Sequence, residues 1–164
     1  MNPIELLQQK KQHLDRLTNQ SGSKGEQSLL ADNTNWLPRP KGKGLKVLLA
    51  ELNAQGLDIK GSSFDAIELP VGETLNFEDA SQVKRLLPTM LFIEIKTASQ
   101  GRVKPNFEGF FFSLTESEIE TSEILGARHK VAFFNSITKE LLMTSVPEIL
   151  ARKKSSTWSL SVQL

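Results

Sequence analysis

The chain has no cysteine and only two histidines, His13 and His129, among its 164 residues. The first absence excludes disulfides, thiolate nucleophiles and sulfur-ligated zinc. The second argues against a histidine-rich metal site, so any bound metal needs oxygen ligands. Long hydrophobic runs are missing as well: no window approaches the roughly 20 apolar residues that span a bilayer, and no apolar core of signal-peptide length lies near the start. A cytoplasmic protein without a membrane partner is the expectation. Charge of one sign is also scarce. A net charge of +1 and a pI near 8.0 fall short of the basic excess of a protein that binds nucleic acid by charge alone.

What is present points to one folded domain. A hydrophobic content of 38% with 24% charged residues lies outside the low-hydrophobicity corner that marks disorder, and the length fits a single core with some peripheral chain. Residues 3–17 space Ile4, Leu7, Leu14 and Leu17 as a helical stripe. Residues 18–43 are polar and rich in glycine, asparagine and proline, the composition of a linker or ordered loop. On this basis residues 1–40 form an N-terminal helix and polar linker, and residues 41–164 form the domain.

Within that domain, Leu45, Leu48, Leu49 and Leu52 recur at helical spacing, with Gly56 where a C-terminal cap falls. The segment FDAIEL alternates as a strand, placing Asp65, Ile67 and Leu69 on one face. Residues 76–87 read as a short helix capped by Asn76 and stopped by Pro88. The run MLFIEIKTA is a strand, and FEGFFFSL a third, central one because consecutive phenylalanines imply burial on both faces. Thr115 and Glu118 form a capping box for a helix ending at Gly126, and KVAFFNSI returns as a buried strand. ELLMT completes a hairpin, Ser145 and Glu148 cap another helix, and WSLSVQL alternates as a terminal strand. The class is α/β, with the order helix, three strands, helix, strand and a C-terminal appendix of hairpin, helix and strand.

One strand carries chemistry. A two-residue step sets Glu94 and Lys96 side by side on one face while Ile93 and Ile95 anchor the other. Charges on so apolar a strand are costly unless paired or bound to an ion, and the alternative is an exposed face bearing a solvated pair. Two carboxylates and a lysine suit phosphodiester hydrolysis. Hard oxygens hold Mg²⁺, with Mn²⁺ as a substitute, the metal acidifies a bound water, and lysine steers the nucleophile. Asp65 is the best second carboxylate, ahead of Glu68 and Asp79. His129, flanked by Arg128 and Lys130, reads as a surface or phosphate-contacting residue.

The ordered segments FDAIEL, FIEIKTA, GFFFSLTESEIETSEILG and KVAFFN resemble the PD-(D/E)XK nuclease superfamily, and within it the nuclease-like domain at the C-terminus of the plant NO VEIN protein. The resemblance spans roughly residues 41–137. It implies a restriction-endonuclease-like αβββαβ core with a mixed central sheet flanked by helices. It also implies an active site in which Asp65 and Glu94 bind metal and Lys96 positions the nucleophile. A Gly-Glu pair opening the first helix belongs to the same pattern, and here Gly44 is followed by Leu45. The function so implied is a Mg²⁺-dependent DNA endonuclease in restriction, defence or mobile-element biology, with Arg102, Lys104, Arg128 and Lys130 on phosphates and a homodimer where both strands are cut. A non-catalytic nucleic-acid- or protein-binding module that retains the fold is the alternative.

Overall fold

The computed structural model describes residues 24–99, 103–157, 159–160 and 162–164. The stripe at residues 3–17, Arg102, Trp158 and Ser161 lie outside them. The elements run α1 (24–32), β1 (Trp36–Pro38), α2 (Gly42–Ala54), β2 (Ala66–Glu68), α3 (Ala80–Leu86), β3 (Leu91–Ala98), α4 (Glu116–Leu125), β4 (His129–Asn135), β5 (Leu141–Thr144) and α5 (Val146–Arg152). The five strands form one mixed sheet in the order β1-β2-β3-β4-β5. Only β3 and β4 run parallel, and α4 is their crossover. The α/β class and the mixed sheet flanked by helices are therefore as the sequence implies.

The order of elements differs from the expected helix, three strands, helix, strand: helices and strands alternate from α1 to β4, with α2 between β1 and β2 and α3 between β2 and β3. Residues 24–38, read as linker or loop, form α1 and β1. Leu29 and Trp36 are buried with Ala66, Ile93, Ile95, Ala132 and Phe134, so the packed unit begins before residue 40. Trp36 also donates from its indole nitrogen to Glu68 Oε2 at 2.7 Å, tying β1 to β2. Leucine spacing over so short and polar a stretch carries little helical signal, and tertiary burial decides.

FEGFFFSL is not a strand. Asn106, Phe107 and Gly109 all take positive φ, which breaks any extended run, and β3 already has β2 and β4 on its two edges. The phenylalanines pack on the sheet instead: Phe110 and Phe112 meet the Phe133 ring at 5.4 and 4.8 Å, while Phe111 is exposed. Asp79, not Asn76, caps α3, accepting from the Ser81 and Gln82 amides. The hairpin β4–β5 and helix α5 form as expected, whereas described residues 157, 159–160 and 162–164 belong to no strand.

Strand β3 divides the core. Ile93 and Ile95 face α1, and Phe92 packs with Leu48 and Leu52 of α2 on the other side. Glu94 and Lys96 share the side of Phe92, which α4 also covers.

Candidate functional site

Strand β2 begins at Ala66, and the residue before it is stitched to β3. The Asp65 amide donates to the Ile93 carbonyl at 2.8 Å, and the Ile95 amide donates to Asp65 Oδ2 at 2.8 Å. Asp65 thus uses its side chain to take the ladder position that β2 vacates as it leaves β3. This sets its carboxyl beside Glu94.

Glu94 and Lys96 are not a solvated pair. Glu94 is 6% exposed, and Lys96 Nζ stands 3.0 Å from Glu94 Oε1. The Lys96 ammonium also lies 3.0 Å from each oxygen of Glu118. Glu118 forms the expected capping box with Thr115 and in addition closes this ion pair, so capping describes half of what it does.

Glu94 Oε2 is buried and has no hydrogen-bond partner. A carboxylate oxygen in that position is satisfied by a proton or by a cation. Burial, with the Asp65 charge adding to it, pushes the Glu94 carboxyl up to about 9. Burial also raises Asp65, against the Ile95 amide and the Lys96 and Arg39 charges, which lower it. Burial alone would lower Lys96, but Glu94 and Glu118 together hold its ammonium above the usual lysine range.

Two further residues stand at this site that the sequence reading did not assign to it. Glu26 on α1 lies within electrostatic reach of Asp65, Arg39 and Lys96, and burial followed by the Asp65 charge raises its carboxyl. Its neighbour Gly25 lets the helix sit against β3: a Cβ there would come within 2.5 Å of Thr97 Cγ2. Gly25-Glu26 is a Gly-Glu pair on α1, 19 residues before Gly44, in chain whose composition reads as linker. Arg39 follows β1, pairs its amide with the Asp65 carbonyl at 2.8 Å, and donates from Nη1 to the Phe64 carbonyl at 3.0 Å. Its place between Pro38 and Pro40, which fix the backbone on either side, was the available signal.

The basic residues assigned to phosphates do not gather here. Arg128 donates to the Leu87 carbonyl at 3.1 Å. Lys130 pairs in register with Ile93 and so projects from the face opposite Glu94. Lys104 is exposed in the loop after β3. His129, read as a surface residue, is 1% exposed with both ring nitrogens lacking hydrogen-bond partners, because β4 enters the sheet at that residue opposite Phe92. Burial holds its pKa below the ordinary histidine value, although the Ser63 backbone and Glu118 act in the other direction.

Among the described residues no group of three or more His, Cys, Asp or Glu side chains is arranged to hold a metal ion, and no helix is long and apolar enough to cross a membrane. Comparison with protein-family models, with curated proteins and with solved structures gives no match to this chain.

Proposed function

We propose that the protein is a Mg²⁺-dependent nuclease of the PD-(D/E)XK kind that hydrolyses DNA phosphodiester bonds. The observation that carries this reading is the meeting of Asp65, Glu94 and Lys96, with a buried, unpartnered Glu94 oxygen beside a second carboxyl and an amine 3.0 Å from its sister oxygen. The element order supports it. With α2 and α3 as insertions, α1, β1, β2, β3, α4 and β4 follow the αβββαβ sequence of a restriction-endonuclease-like core.

The donor set suits the metal. Mg²⁺ in phosphoryl-transfer sites is held through one or two carboxylates and completes its shell with water and substrate oxygens, so Asp65 and Glu94 suffice without a third ligand. When bound, the ion supplies a water of lowered pKa and offsets charge on the phosphate. The chain's own residues do the rest. Asp65 is held in place by the Ile95 amide, Glu94 presents its free oxygen, and Lys96 donates to the attacking oxygen and orients it. Arg39 and Glu26 set the field around the pair, while Lys104, exposed in the loop after β3, contacts a flanking phosphate.

Nicking of supercoiled plasmid in Mg²⁺ or Mn²⁺ tests the reading. Wild type is expected to cleave only with metal, and Asp65→Ala, Glu94→Ala and Lys96→Ala to lose cleavage. A second reading, a binding module without turnover, draws on the commitment of the Lys96 ammonium to two carboxylates. Wild-type protein that binds DNA and cuts it under no metal would favour that module. Linear product from single binding events would support a two-fold dimer.

A further inference from the structure

We propose that Glu118 is a positioning residue whose charge holds the Lys96 ammonium in the site when Glu94 is engaged by another cation. Its catalytic consequence rests on the nuclease reading. Its geometry does not.

A lysine ammonium has three donors. In this chain three carboxylate oxygens stand 3.0 Å from Lys96 Nζ, one from Glu94 and two from Glu118. The two acids differ in what else they can do. Glu94 has an unpartnered oxygen next to Asp65, so it is the group a divalent ion would draw away. Glu118 is fixed from a different element: its Oε2 also accepts from the Thr115 amide at 2.9 Å, and its own amide donates to Thr115 Oγ1 at 3.2 Å.

Capping alone does not account for this residue. A capping box needs one acceptor from the third helical residue, and glutamine serves as well as glutamate. A charge is therefore superfluous to the cap, and burying it is unfavourable without a partner. Yet Glu118 is 6% exposed and spends both oxygens on Lys96. With a cation on Glu94 and Asp65, the Lys96 ammonium would be repelled from the site, and Glu118 is the anion left to retain it.

The two roles separate by mutation. Glu118→Gln keeps the cap and removes the charge; Thr115→Ala breaks the cap and keeps the charge. In metal-dependent nicking, Glu118→Gln is expected to lower kcat about 10- to 100-fold, the usual cost of removing a group that orients a site residue, with KM for DNA and the affinity for Mg²⁺ near wild type. Thr115→Ala is expected to lower Tm and leave kcat unchanged. A second readout needs no activity. The ¹⁵N–¹H signal of the Lys96 ammonium, assigned by its loss in Lys96→Arg, should be ordered and slow to exchange in wild type and broadened in Glu118→Gln. An unchanged kcat together with an undiminished ammonium signal in Glu118→Gln would overturn the proposal. If wild type cleaves nothing, the nuclease reading fails and the ammonium signal alone decides the role of Glu118. Should Glu118→Gln not fold, Glu118→Asp, which keeps the charge but shortens its reach, is read by the same signal, weakened in support and unchanged against.

Discussion

The carboxylate of Asp65 and the amide of Ile95 are joined by a 2.8 Å hydrogen bond across the gap where β2 departs from β3. A side chain there does the work of a missing strand residue, and in doing so fixes an acid beside Glu94 on a neighbouring segment. The proposed chemistry depends on that coincidence.

If Asp65 and Glu94 share a divalent ion, metal must stabilise the folded chain. Mg²⁺ at about 100 times its dissociation constant contributes about 2.7 kcal/mol, which for a domain of this size is a rise of several degrees in Tm. Thermal melts with and without EDTA should show the rise in wild type and its loss in Asp65→Asn and Glu94→Gln. A shift that persists in both variants would remove the metal from this site.

Gly25 should not tolerate a methyl group. Alanine normally favours a helix over glycine by about 1 kcal/mol, but here its Cβ would press within 2.5 Å of Thr97 Cγ2. Overpacking of this kind costs about 1–3 kcal/mol, so Gly25→Ala is expected to lower the urea midpoint. Adding Thr97→Ala should restore part of the loss, since it clears the nearest atoms and removes a hydroxyl that is buried without a partner. Simple additivity of the two changes would mean that α1 does not lean on β3 at this point.

His129 should make the protein sensitive to mild acid. Its folded pKa lies below 6.5 because the ring is buried, so between about 6.5 and that lower value the unfolded chain binds a proton that the folded chain refuses. Stability contributed by the neutral ring is therefore present above 6.5 and lost as pH falls. Glu94 works in the opposite direction: pushed up to about 9, its contribution is lost as pH rises toward that value. The difference between wild type and His129→Phe isolates the histidine. Urea midpoints at neutral and mildly acidic pH should converge as pH drops, and parallel curves would show that His129 is protonated equally in both states.

Arg128 should matter for stability rather than for DNA. Loss of its hydrogen bond to the Leu87 carbonyl is expected to cost about 1–3 kcal/mol. Fluorescence anisotropy with a duplex should find affinity and salt slope unchanged in Arg128→Ala but reduced in Lys104→Ala. The reverse pattern would return Arg128 to the phosphate surface.

Much of the site could be read from the sequence because strand alternation is local. The two-residue step that puts Glu94 beside Lys96 and turns Ile93 and Ile95 away is a property of any extended chain, and the fold uses it unchanged. The Thr115–Glu118 box was legible for the same reason, being complete within one helical turn. Its ion pair with Lys96 was not, since it joins residues 22 positions apart. Glu26 was missed because a short polar helix carries almost no periodic signal of its own, and its helicity comes from packing Leu29 onto β3. The phenylalanine run misled because burial was read as extension; positive φ at Asn106 and Phe107 folds it onto Phe133 instead.

By itself the sequence determined an α/β chain without cysteine ligands and an acid and an amine on one face of a β-strand, because composition and backbone period need no partner. Only the tertiary structure decided which acids join them. Asp65, Glu118 and Glu26 arrive from separate elements, and what brings them to one point is the departure of β2 from β3, the crossover through α4 and the close seat of α1 at Gly25. These are packing relations between distant segments, and no local pattern of residues encodes them.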